Sequence, residues 1–254
     1  SFIILFFIIK FKNKRNLKLD RRDFFQFFTL GFIGFTLYYF FENTGIKYST
    51  AGNASLIVAT IPMFASLISS IINKKFSFFL YLGIFISFAG IFFLFRKDIN
   101  LTDSSYFLGN ILVFGAVFSW VAYSFLTSRL IKKFGNLITT FYGTLFGFFT
   151  GLPFMFIEIQ QSKLFILNQH SFWVLLFLSF ICSTLAYLTW NKALDYLGED
   201  ISNVYIYLIP VVTVIGEHFI LDQEITTSKI FSAILIICGV FISQIKLSVN
   251  TLKL

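Results

Sequence analysis

The chain has 254 residues, 57% hydrophobic and 13% charged, with a formal net charge of +8. A soluble domain carries roughly 25% charge, so this composition excludes a soluble globular fold. Its two cysteines, Cys182 and Cys238, each sit inside an apolar run, which argues against both a disulfide framework and a Cys/His metal site.

A helix that crosses a bilayer needs about 20 mostly apolar residues. Residues 1–9 supply half of one, read as the second half of a helix whose start precedes the sequence. Eight further runs follow in order: 24–43, 51–72, 77–95, 106–128, 135–157, 171–191, 200–221 and 229–246. The loops between them are short. Numbered alternately, the odd set (10–23, 73–76, 129–134, 192–199 and the tail from 246) carries 15 Lys/Arg and the even set 5. The positive-inside rule places the odd set, including the basic run from Lys10 to Arg22 and the C-terminus, in the cytoplasm. Topology thus accounts for the basic balance, and nucleic acid is not an expected partner.

The stretch from Thr36 to Pro62 recurs at Thr184 to Pro210, a shift of 148 residues without a gap. Seven of the 27 aligned positions are identical, among them Thr36/Thr184, Tyr39/Tyr187, Asn43/Asn191 and Pro62/Pro210. Spans 24–43 and 171–191 lie five helices apart, an odd number, so the copies enter the membrane from opposite sides. That is the signature of an inverted repeat. The expected fold is an all-α polytopic bundle, a 5+5 inverted-repeat carrier with about 8.5 of its ten helices within the sequence. The repeats fall at 1–97 and 106–247.

On 200–221, Asn203, Tyr207, Pro210, Val214 and Glu217 share one helical face. Their counterparts are Ser55, Ala59, Pro62, Ser66 and Ser69. A small or polar stripe in a chain of Phe and Ile is expected to face the interior or a cavity. Each proline frees a carbonyl four residues back, at Val58 and Ile206. The alternative is a packing kink without ligand contact. Thr36, Tyr39 and Asn43, with Thr184, Tyr187 and Asn191, form two further one-face trios that suit either an amphipathic solute or hydrogen bonds between helices. Trp190 adjoins the second trio.

Glu42 and Glu217 are the carboxylates within spans, and both are candidates for proton coupling. Gly143, Gly147 and Gly151 form a close-packing ridge, to be used within the chain or across a homodimer. No H-E-x-x-H, G-x-S-x-G or P-loop lysine motif occurs, so no enzymatic activity, cofactor or metal is expected. The alternatives are an intramembrane lipid-modifying enzyme, which needs a clustered polar site at one membrane face, and a non-transporting scaffold with sealed polar faces.

The stretches Gly45 to Pro62 and Trp190 to Val212 resemble the EamA-type carriers of the drug/metabolite transporter superfamily. Leu221-Asp222-Gln223-Glu224-Ile225-Thr226 looks like that family's L-G-E-x-L-T turn, with Asp-Gln in place of the glycine. The counterpart near Asn73-Lys74-Lys75 lacks the glutamate. The resemblance spans essentially the whole chain. It implies ten helices around a central cavity and alternating access, often for export of amino acids or other small metabolites. The expectation is a multi-pass carrier in a prokaryotic plasma membrane, with a small-molecule substrate and the bilayer as its partners.

Overall fold

The computed structural model describes residues 5–7, 9, 19–74, 77–99, 105–161, 168–222 and 226–251. Among them the elements are α1 (Arg21–Gly31), a π-helical segment π1 (Phe32–Leu37), α2 (Tyr38–Tyr48), α3 (Ala51–Val58), α4 (Ile61–Asn73), α5 (Phe78–Ile99), α6 (Ser105–Phe134) and α7 (Asn136–Gln161). They continue with α8 (Gln169–Phe177), π2 (Leu178–Leu185), α9 (Ala186–Val204), a 3-10 turn (Tyr205–Tyr207), α10 (Leu208–Leu221) and α11 (Thr227–Thr251). No strand occurs among the described residues. Lipid cannot satisfy backbone N–H and C=O groups, so apolar runs of this length resolve into helices. Arg21–Tyr48, Ala51–Ile72, Ser105–Phe134, Asn136–Ile157 and Ser171–Leu197 are long and apolar enough to cross a membrane, and 78–93, 208–220 and 227–243 are shorter apolar helices.

Helices extend further than hydropathy alone suggests. The loop expected at 192–199 lies inside α9, and the one at 129–134 inside α6. Hydropathy marks where a chain leaves lipid, whereas a helix ends only where its hydrogen bonding is broken. Asp23, expected in a loop, stands in the first turn of α1, where an acid complements the helix dipole. There Lys133 Nζ donates to its Oδ1 at 2.6 Å. The basic run 10–18, the linker 100–104, the external segment 162–167 and the Gln223–Ile225 part of the turn lie outside the described residues.

The chain forms two compact units, each drawing on both copies of the repeat. One comprises 1–37 and 122–198. In it α1 and π1 pack along α7, with Phe27 buried between Phe134 and Tyr142 at ring separations of 5.2 and 5.0 Å. The other comprises 38–121 and 199–254. In it α5 runs along α11, and α3 packs on α10. The pairing of α2 with the first half of α6 is antiparallel: Tyr38 meets Trp120, Phe41 meets Gly115 and Ser49 meets Asn110.

The repeat extends to local geometry. A shift of 148 carries π1 (Phe32–Leu37) into 180–185, inside π2 (Leu178–Leu185). It also carries the break after Val58, where Ala59 and Thr60 form a turn, to 207–208, where the 3-10 turn Tyr205–Tyr207 ends. Each break stands just before a proline, Pro62 or Pro210, which has no N–H to leave unpaired and favours a helix start. The third coincidence is at the helix ends. The described non-glycine residues with positive φ are Lys74 (52°) and Asp222 (51°), again 148 apart.

These two residues occupy the left-handed position that ends a helix, where glycine is ordinarily favoured because a Cβ is strained there. The same geometry explains the glycine expected in the L-G-E-x-L-T turn. Lys74→Gly should stabilise the protein by about 0.5–1 kcal/mol, and Asp222→Gly by less, because Asp tolerates this conformation better than Lys. Thermal unfolding of the two variants checks this; a lowered midpoint for Lys74→Gly would contradict it.

Candidate functional site

The sequence candidates include a buried polar network in the first unit and a half-buried carboxylate, Glu42, bonded to a tyrosine in the second. In the first unit, π1 places Thr36 against α7. Thr36 Oγ1 lies 2.6 Å from Thr150 Oγ1 and 3.3 Å from the Gly147 carbonyl. The glycine ridge makes this approach possible. A Cβ on Gly31 would stand 2.5 Å from the Gly147 nitrogen, and one on Gly147 would stand 2.7 Å from Phe35 Cβ. The two choices left open for the ridge resolve in favour of packing within the chain for Gly143 and Gly147. The equivalent Thr184 turns inward along its own helix and donates to the Ser179 carbonyl, five residues back, at 3.0 Å. π segments are frequent at functional sites.

Beside π1, Phe35 stacks on Tyr187 (4.4 Å, 23°) and meets Tyr123 edge-on (6.0 Å, 89°). Tyr187 donates to the Gly34 carbonyl at 3.3 Å. Asn191 is 0% exposed. Its Oδ1 accepts from Tyr123 OH at 3.0 Å, and its Nδ2 donates to Thr140 Oγ1 at 2.8 Å. Thr140 reaches the Asn136 carbonyl at 2.9 Å, and Asn136 Nδ2 donates to the Leu188 carbonyl at 3.1 Å. The network starts on α6 and returns to α9, and it ties α6, α7 and α9 together. Both ends of the Asn191 amide are bonded, so it fixes geometry in a dry interior and offers little to a ligand.

In the second unit, Ser55 is buried and donates to the Gly52 carbonyl at 2.8 Å, and Thr60 donates to the Ile57 carbonyl at 2.6 Å. Both hydroxyls serve backbone around the break that precedes Pro62. Pro62 and Pro210 are both buried, as a protein-facing position requires. Asn43 is exposed, unlike its copy Asn191. Tyr39 and Trp190 are half-buried. Asn203, Tyr207 and Glu217 stand on described backbone, but their side chains lie outside the description. Glu42 is half-buried, and its Oε1 accepts from Tyr38 OH at 2.6 Å. The Tyr38 ring lies 5.0 Å from Trp120 and 5.2 Å from Tyr39.

Sequence reasoning passed over Tyr38, Asn136 and Thr140. Tyr38 has Ala186 at its repeat position, so the repeat did not flag it. Thr140 and Thr144, four apart on an apolar helix, carry the spacing that could have flagged α7.

Membrane-length helices, buried backbone breaks and interior polar residues define a multi-pass integral membrane protein. The chain belongs to the EamA-like transporter family, whose model matches residues 1–96 and again 107–244. It is 28% identical over 222 residues to an "Uncharacterized transporter" of Archaeoglobus fulgidus, covering 85% of this chain and 75% of that one. It is 27% identical to "Uncharacterized transporter YyaM" of Bacillus subtilis over 83% of this chain and 69% of the relative. With "Uncharacterized transporter YdfC" of the same organism it shares 26% identity over 90% and 74%. A crystal structure aligns with a TM-score of 0.64 over 95% of this chain and 83% of the other, at 14% identity, which speaks for the fold alone. The protein is a membrane transporter.

Proposed function

We propose that the protein carries a small organic metabolite, with amino acids as the leading class, across a prokaryotic plasma membrane by alternating access around a mid-membrane cavity. The observation that supports this reading is the recurrence, 148 residues apart, of a π segment, a helix break before a buried proline and a left-handed helix cap. Irregular backbone at membrane depth is tolerated where it is buried in protein or lines a wet cavity. Carriers built from inverted repeats place their binding sites at such broken helices. The Lys/Arg bias puts the C-terminus in the cytoplasm. Tyr39, Asn43, Pro62, Trp190, Asn203, Tyr207 and Pro210 are the path and hinge candidates on this reading, while the buried, hydrogen-bonded Thr36, Ser55, Thr184, Tyr187 and Asn191 hold their helices in shape.

The test is reconstitution in proteoliposomes with a radiolabelled panel of amino acids, nucleosides and organic acids. Saturable counterflow of at least one class is expected, with Tyr39→Ala reducing it by roughly tenfold, as loss of one good contact would. Uptake that rises linearly with concentration and matches empty liposomes for every class overturns the proposal.

A further inference from the structure

We propose that Glu42, framed by Tyr38, Tyr39 and Trp120, binds the ammonium group of the transported solute, so that the cargo is an organic amine. This rests on the carrier reading above and narrows its substrate class.

Glu42 lies inside the apolar span Arg21–Tyr48. A charge there is costly unless something partners it, and such residues mark substrate or ion pathways. Among the described residues no Lys, Arg or His nitrogen comes within ion-pair distance of Glu42. Among the described residues its one hydrogen bond is the 2.6 Å contact from Tyr38 OH to Oε1. A carboxylate offers about four acceptor positions, so Oε2 and most of the acceptor capacity remain for a ligand. Glu42, Tyr38, Tyr39 and Trp120 are all half-buried, so each keeps part of its side chain at the surface of the chain.

The surrounding chemistry selects the kind of cation. A hard metal ion takes six or more oxygen ligands, and here one carboxylate and one phenol stand among aromatic rings. Rings within about 6 Å of a cation attract ammonium groups through their electron-rich faces. The Tyr38 ring lies 5.0 Å from Trp120 and 5.2 Å from Tyr39. An alkylammonium satisfies both parts: its N–H groups donate to the carboxylate, and its carbon skeleton lies along the rings.

Packing holds the cluster in place before a ligand arrives. A Cβ on Gly109 would stand 2.8 Å from the Gly45 carbonyl oxygen, and one on Gly115 would stand 2.8 Å from the Phe41 ring. These glycines let α2 and the first half of α6 touch along their length. Tyr38, which donates to Glu42 one turn further along α2, is thereby fixed opposite Trp120 on α6. Preorganisation of this kind lowers the entropy cost of binding.

An ammonium could also come from a phosphatidylethanolamine headgroup, so the experiment separates the two sources. The full chain is placed in phosphatidylglycerol nanodiscs, and binding of tritiated tryptamine is measured by scintillation proximity. Wild type is expected to bind saturably. Glu42→Gln should weaken binding by at least about tenfold, Glu42→Asp should retain part of it, and Trp120→Leu should cost about threefold. Gel filtration shows that each variant remains folded. Tryptophol, which has the same ring and a hydroxyl in place of the amine, should compete at least about tenfold more weakly than unlabelled tryptamine. Equal binding by wild type and Glu42→Gln, or equal competition by tryptophol, overturns the proposal. Loss of tryptamine binding when phosphatidylethanolamine is added assigns the site to lipid and overturns it as well. If panel solutes move in proteoliposomes but tryptamine does not bind, the amine site falls and the carrier reading stands. If tryptamine binds through Glu42 while nothing moves, the carrier reading falls and with it the claim that the bound amine is cargo, and only the ammonium site remains.

Discussion

Gly239→Ala is expected to destabilise the protein by about 1–3 kcal/mol, the usual cost of forcing an extra methyl group into a packed interior. The built Cβ would stand 2.5 Å from the Ser87 backbone nitrogen and 2.6 Å from the Gly83 carbonyl oxygen. Both are backbone atoms of α5, and backbone cannot rotate aside as a side chain can. The reverse contact is as close, because a Cβ on Gly83 would press on the Gly239 carbonyl. Helices α5 and α11 therefore have to separate along their crossing. That also stretches the Ser87 hydroxyl bond to the Ile236 carbonyl, now 3.2 Å. Gly151→Ala is the matched comparison. Its new methyl would meet only Thr36 Oγ1 at 3.8 Å, and alanine is about 1 kcal/mol better than glycine inside a helix. Thermal unfolding in detergent should place Gly239→Ala below wild type and Gly151→Ala level with it or above. Equal midpoints for wild type and Gly239→Ala would show that α5 and α11 cross at a greater distance than described.

Asn191→Ala is expected to cost about 1–3 kcal/mol, because it removes one bond from each of two buried hydroxyls, although Thr140 keeps its own bond to the Asn136 carbonyl. Tyr123 OH loses its acceptor, and Thr140 loses the donor that reaches it at 2.8 Å. Interhelical hydrogen bonds within membranes average only about 0.6 kcal/mol in double-mutant cycles. Most of the loss therefore comes from leaving buried polar atoms with one partner fewer. A cycle with Tyr123→Phe separates the two contributions: the double variant should be less destabilised than the sum of the singles. Asn43→Ala, at the repeat-equivalent position, should stay within about 0.5 kcal/mol of wild type because Asn43 is exposed. Equal effects at the two asparagines would mean that the repeat, and not the local surroundings, sets their role.

The contrast between Asn43 and Asn191 shows how far the amino-acid order could be read. The two are identical under the 148-residue shift, and nothing along the chain ranks one above the other. What separates them is Tyr123 and Thr140, which stand 68 and 51 residues from Asn191. The same holds for Tyr38, which sits beside the repeated Tyr39 and gains its meaning from Glu42 on its own helix and Trp120 on another.

The sequence by itself determined the membrane class, the helical runs, the twofold repeat and the prolines at its breaks. Hydropathy and proline chemistry act within a turn or two of helix, so they can be read from neighbours. Only the tertiary structure decided that the glycine ridge serves π1 inside the chain, that the repeat carries π segments and left-handed caps, and that one asparagine of the pair is sealed. Those outcomes depend on which distant surfaces meet, as when Thr36 finds Thr150 across 114 residues. Close packing makes such encounters sensitive to single atoms, because one added methyl group at the crossing of α5 and α11 has to push the two helices apart.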